Sequence, residues 1–123
     1  MGTPAVPPGW PPDLPPAETD EFGERVVGWL LDRCPPDYRL HDVLRANPRA
    51  LARLTAHHVD ATLEGARRAY AGVRRELRDR LTPEAVDAVL VALEREGTRL
   101  LVEQRQVALV EEALDGRRWV RRL

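Results

Sequence analysis

Few side chains in this 123-residue chain have the types and spacing to do chemistry. Cys34 is the single thiol, and the chain contains no serine. A phosphatase-type loop needs its Arg one position later than Arg39 stands, and position 40 is Leu. Pro35-Pro36 also removes backbone N–H groups that such a loop would turn on a phosphate. Cys34 falls at the C-terminal end of a predicted helix, where the negative end of the dipole raises a thiol pKa and quenches its reactivity. It reads as a packed structural cysteine.

His57, His58, Asp60 and Glu64 form the one cluster with metal-ligand character. His57, Asp60 and Glu64 share a helical face. A chain folded back on itself would bring Glu103 and Glu111 near His58, which makes His57, His58 and Glu103 the metal candidates. A di-metal carboxylate bundle uses Glu-x-x-His pairs on two helices. Neither that pattern nor His-Glu-x-x-His occurs. The expectation is no metal and no cofactor, with His58 at a helix–helix seam beside Gln104 as a register-fixing polar layer and His57 on the outer side. No glycine loop cradles a phosphate, and no pocket is apparent that would shift a carboxylate pKa. Nothing in the sequence argues for an enzyme.

The elements that must position these residues are helices. Asn47 precedes Pro48 as an N-cap before a proline at N1, and Thr82-Pro83 repeats the device. Gly116 suits a left-handed C′ position. Between these signals Ala, Leu, Arg and Glu dominate. In the second segment Val86, Leu90, Leu93, Gly97, Leu100, Gln104, Val107, Glu111 and Leu114 alternate spacings of four and three, the period of a coiled-coil seam. The first segment offers Leu51, Leu54, His58, Ala66, Val73, Leu77 and Leu81. Its middle is small, with Ala61, Gly65, Ala69 and Gly72, and a turn near Thr82 would set Gly97 opposite, letting the backbones approach closely. Residues 35–81 carry ten Arg against six acids (+4), and residues 82–116 carry three Arg against eight acids (−5). Opposite charge suits helices lying side by side, although each exposed pair is worth under about 1 kcal/mol.

Upstream, Thr19 or Asp20 caps a helix that Pro35-Pro36 ends at Cys34. Its apolar set, Phe22, Val26, Val27, Trp29, Leu30 and Leu31, is broad enough to meet both hairpin helices or a neighbouring subunit. Leu40 to Ala46 predicts a short helix with Leu40, Val43 and Leu44 inward. Residues 1–18 are Pro-rich and predict an extended, polyproline II-like arm. The PxxP spacings Pro8–Pro11 and Pro12–Pro15 fit a ligand for an aromatic groove. The simpler reading is an arm draped over the hairpin and anchored by Trp10. Residues 117–123 form a basic tail with four Arg and Trp119.

Net charge is −1, which argues against a dedicated nucleic-acid or membrane-surface protein. All 19 basic residues are Arg, and Lys and Ile are absent, a bias that reflects a high-GC genome. One cysteine excludes an internal disulfide and fits a reducing cytoplasm. The start lacks a basic n-region and a hydrophobic core, so no secretory leader is expected. The apolar runs Val26–Leu31 and Ala88–Leu93 are too short to span a bilayer.

The stretch Pro7-Pro8-Gly9-Trp10-Pro11, followed by Val27-Gly28-Trp29-Leu30-Leu31-Asp32-Arg33-Cys34-Pro35-Pro36-Asp37-Tyr38-Arg39, resembles small helical proteins of high-GC actinobacteria. The similarity continues through Leu51-Ala52-Arg53-Leu54 and Ala56-His57-His58-Val59. That group has no known activity. The resemblance implies a bacterial, cytoplasmic protein and brings no cofactor or catalytic residue.

Together these readings predict an all-α protein: a long antiparallel helical hairpin with an N-terminal helix packed at its open end and a Pro-rich N-terminal arm. Helices are expected at 20–34, 41–46, 48–81 and 83–115 within a single domain spanning 19–116. The expected role is a non-enzymatic module that self-associates or docks on a protein, with Trp10, Trp29, Leu30, Arg117, Arg118 and Trp119 as contact candidates. The alternatives are a nucleic-acid-associated protein using Arg67, Arg68, Arg74, Arg75 and Arg78 with the basic tail, and a metal-binding helical protein.

Overall fold

A computed structural model of the chain describes residues 5–117 and 119–120. It is built from four helices: α1 (Asp20–Leu31), α2 (Asp42–Ala46), α3 (Pro48–Leu77) and α4 (Pro83–Leu114), with a 3-10 turn at Pro36–Leu40. No strand occurs among the described residues. α3 and α4 run antiparallel as a hairpin with arms about 45 Å long, taking 1.5 Å per residue. α1 lies against α3 at the open end of the hairpin.

Four side-chain pairs across the hairpin hold one register. Arg49–Asp115, Arg53–Glu111, Asp60–Gln104 and Tyr70–Glu94 follow each other in steps of four, seven and ten residues on α3, matched by equal steps back along α4. Thr82 caps α4 by accepting the Ala85 amide at 3.1 Å, with Pro83 behind it at N1. Gly116, at φ +84°, closes α4: its N–H reaches the Ala113 carbonyl and the Arg117 N–H reaches the Glu112 carbonyl. α3 stops at Leu77, four residues short of the expected Leu81, because Arg78–Arg80 form the turn that reverses the chain.

Two other ends differ from expectation. α1 stops at Leu31, and Arg33 and Cys34 follow in turns closed on Leu30 and Leu31. A proline disfavours the α conformation in the residue before it, so the last turn before Pro35 opens. Asn47 stands at the N-cap of α3, where its carbonyl accepts the Leu51 N–H at 3.0 Å, but its side chain makes no cap hydrogen bond. Its side-chain amide instead donates to the Val43 carbonyl at 2.7 Å and closes α2, whose last carbonyls have no successor turn.

The core has two parts. The larger one lies at the open end, where Phe22, Val26, Trp29, Leu30 and Leu31 of α1 meet Leu51, Ala52 and Val59 of α3 and Val107 and Val110 of α4. The smaller one, Val73, Val86 and Leu90, sits near the turn. The Pro-rich arm belongs to the larger core. It is not extended, since Trp10, Leu14 and Thr19 each close a turn on the carbonyl three residues back. Pro11 and Leu14 are buried, and the Trp10 ring sits 5.8 Å from that of Phe22. Leu40 and Val43 do not point inward: they are 77% and 65% exposed. The 3-10 turn is tied to α1 by Arg39, which donates to the Leu31 carbonyl, and only Tyr38 and Leu44 reach the core.

Candidate interaction surface

The chemical candidates resolve into structural roles at the α1–α3–α4 junction. The Cys34 thiol is buried and 3.0 Å from Thr55 Oγ1. Thr55 donates its own proton to the Leu51 carbonyl at 2.8 Å, which leaves the thiol as donor to Thr55. Burial pushes the Cys34 pKa above the ordinary thiol value, the direction expected, although desolvation is the leading cause and not the helix dipole.

Arg33 stacks over Trp29, its guanidinium carbon 3.7 Å from the ring centroid. It donates to the Trp29 carbonyl at 2.7 Å and lies 3.3 Å from a Glu103 carboxylate oxygen. Burial holds the guanidinium below its ordinary pKa, opposed by Glu103, Asp13 and Asp32. Trp29 Nε1 donates to Asp13 of the arm at 3.0 Å. This cation–π and ion-pair cluster rivets α1 to α4 and to the arm. Its residue types are visible in the sequence, but no spacing rule joins positions 13, 29, 33 and 103.

His58 does not pair with Gln104. Gln104 donates to Asp60 at 2.8 Å, and His58 instead lines a cavity of about 210 Å³ with Asp32, Arg33, Cys34, Thr62, Arg99 and Glu103. Glu103 is held by Arg33 and Arg99, and His57 is exposed. Among the described residues no three His, Cys, Asp or Glu side chains stand together as a metal-ligand set.

Of the contact candidates, Trp29 and Leu30 are buried inside the molecule, at 5% and 0% exposure, and Trp10 is half-buried against Phe22. Trp29 and Leu30 thus hold the fold from inside, while Trp10 keeps part of its ring at the surface. Arg117 and Trp119 are exposed and, with Trp10, line a cavity of about 260 Å³; Arg118 lies outside the described residues.

A further open surface lies on the other half of the hairpin, which neither α1 nor the arm reaches. Tyr70, Leu81 and Val91 are between 39% and 45% exposed there. The small residues do not bring the backbones together. A Cβ added at Gly65 or Gly97 would meet nothing within 4 Å. The register sets Gly97 at the level of Arg67, and the gap between the helices is a hollow of about 280 Å³ lined by Ala66, Arg67, Tyr70, Leu93, Glu94 and Gly97. Tyr70 bridges it by donating to Glu94 at 3.0 Å. A second hollow of about 260 Å³ follows toward the turn, with Arg74, Arg78, Leu81 and Asp87 on its rim.

No helix among the described residues is long and apolar enough to cross a membrane. No family model matches the chain, and no curated protein or solved structure is significantly similar to it.

Proposed function

We propose that the chain is a non-enzymatic helical interaction module of the cytoplasm that self-associates or docks on a protein partner. The observation that carries this reading is the uneven cover of the hairpin. Its open half is roofed by α1 and the arm, while the half near the turn has a three-residue core and leaves Tyr70, Leu81 and Val91 at the surface. Apolar side chains that a thin core leaves uncovered offer a contact surface. A single buried thiol with no disulfide fits a reducing compartment.

Molar mass by light scattering over a range of concentrations tests the reading. A dimer or a larger assembly supports self-association. A monomer at every concentration, joined to no protein retained on the immobilised chain, would sink it. A nucleic-acid role for α3 has less support, because Arg68, Arg74 and Arg75 already pair with Glu64, Asp87 and Glu76. It would require binding to DNA or RNA that weakens steeply with salt.

A further inference from the structure

The groove between α3 and α4 near the turn has walls of opposite sign. Asp60, Arg67 and Arg74 recur every seven residues on α3 and share one stripe, which Arg78 extends. It is a different stripe from Thr55, His58 and Thr62, which face the C-terminal end of α1. Across the groove, Asp87 and Glu94 stand seven apart on α4. The near-turn part thus has an arginine wall of Arg67, Arg74 and Arg78, an acidic wall of Asp87 and Glu94, and an apolar floor holding both hollows. Arg74 reaches Asp87 at 3.5 Å, whereas Arg67 and Arg78 have no ion pair among the described residues.

We infer that this groove takes the same groove of a second copy of the chain, in a two-fold dimer whose turns point the same way. The inference rests on the self-association reading and names its surface. The argument is charge complementarity under symmetry. A two-fold axis along the hairpin lays α3 of one copy over α4 of the other and keeps residue levels unchanged. Arg78 then meets the partner wall at the level of Asp87, and Arg67 stands one turn from Glu94. A two-fold axis across the hairpin would lay α3 on α3 and α4 on α4, arginine wall on arginine wall, which like-charge repulsion opposes. A two-fold interface is self-complementary, and a groove with one wall of each sign meets that condition.

The test uses the full chain, with molar mass measured against concentration for the natural protein, Arg67→Glu and the double variant Arg67→Glu/Glu94→Arg. Circular dichroism confirms that each is folded. The expected result is a dimer for the natural chain, at least a tenfold rise in the dissociation midpoint for Arg67→Glu, and recovery in the double variant. Orientation is read separately with Gly97→Cys in a Cys34→Ala background, since the hollow has room for the new side chain. In the proposed dimer position 97 faces α3 of the partner, so mild oxidation should leave the copies unlinked, and a link through position 97 would overturn this orientation. A dimer whose midpoint ignores Arg67→Glu would overturn the assigned surface while leaving self-association standing. A natural chain that stays monomeric but retains another protein overturns the dimer and keeps the interaction module. A monomer that retains nothing overturns both.

Discussion

Cys34 shows how burial decides the role of a reactive residue type. Its thiol is enclosed by α1 and α3 and hydrogen-bonded to Thr55. A thiol whose folded pKa is raised stays protonated after its unfolded counterpart has ionised. The unfolded state then binds fewer protons, so stability falls with pH. Cys34 therefore has no effect on the pH dependence below the ordinary thiol value of 9.0 and weakens the fold as pH rises above it. Urea midpoints between pH 7 and 10.5 should show that decline, and Cys34→Ala should flatten it. Trp29 makes the complementary case: it is buried, carries Arg33 on its face and holds Asp13 by its indole N–H. Trp29→Ala should cost about 3–5 kcal/mol in denaturant unfolding, the range for removing a buried aromatic ring.

At the scale of the element, the helices obey propensity where no partner interferes. Gly65 sits inside α3 with open space around it. Gly65→Ala should stabilise the chain by about 0.5–1 kcal/mol, because a helical glycine loses more backbone entropy than alanine. Gly116 is the opposite case. Its φ of +84° suits glycine alone, so Gly116→Ala should destabilise, by about 1 kcal/mol. Thermal unfolding of the two variants should move in opposite directions. The same contrast explains which boundaries were legible. Thr82-Pro83 and Gly116 act through their own local chemistry and were read correctly. Asn47 marks the start of α3 as its sequence signals, but its side chain turns back to the Val43 carbonyl of α2, a choice that the geometry of that corner settles.

For the whole molecule, the arm is docked with Trp10 as an anchor, in turns and not in the extended form its prolines suggest. Pro11 and Leu14 are buried, and Trp10 packs on Phe22. Removing residues 1–18 would uncover Phe22 and free the Trp29 indole from Asp13. The truncated chain should unfold at a clearly lower temperature, and its tryptophan emission should shift to the red as Trp29 meets water. An unchanged midpoint would mean that the arm only rests on the surface. Exposed Leu40 and Val43 mark a limit of pattern reading in the same region. Their spacing resembles an inward face, but the 3-10 turn at Pro36–Leu40 rotates that face away from the core.

By itself the sequence determined the helical class, the hairpin and its α4 cap residues, the place of α1 at the open end, and the structural character of Cys34. These follow from local signals, namely proline positions, capping side chains, a left-handed glycine and a seam of fixed period, which act within a few residues. Only the tertiary structure decided that the arm is folded into turns, that Trp29 and Leu30 are interior, that Arg33 joins His58 and Glu103 at one cavity, and that the small residues of α3 open a hollow. Each of these depends on which surfaces meet across large sequence separations. Periodicity names the face of a helix, but the packing of third elements decides whether that face is covered. In this chain the cover of α1 and the arm stops partway along the hairpin, and beyond it only the small core of Val73, Val86 and Leu90 lies between the helices.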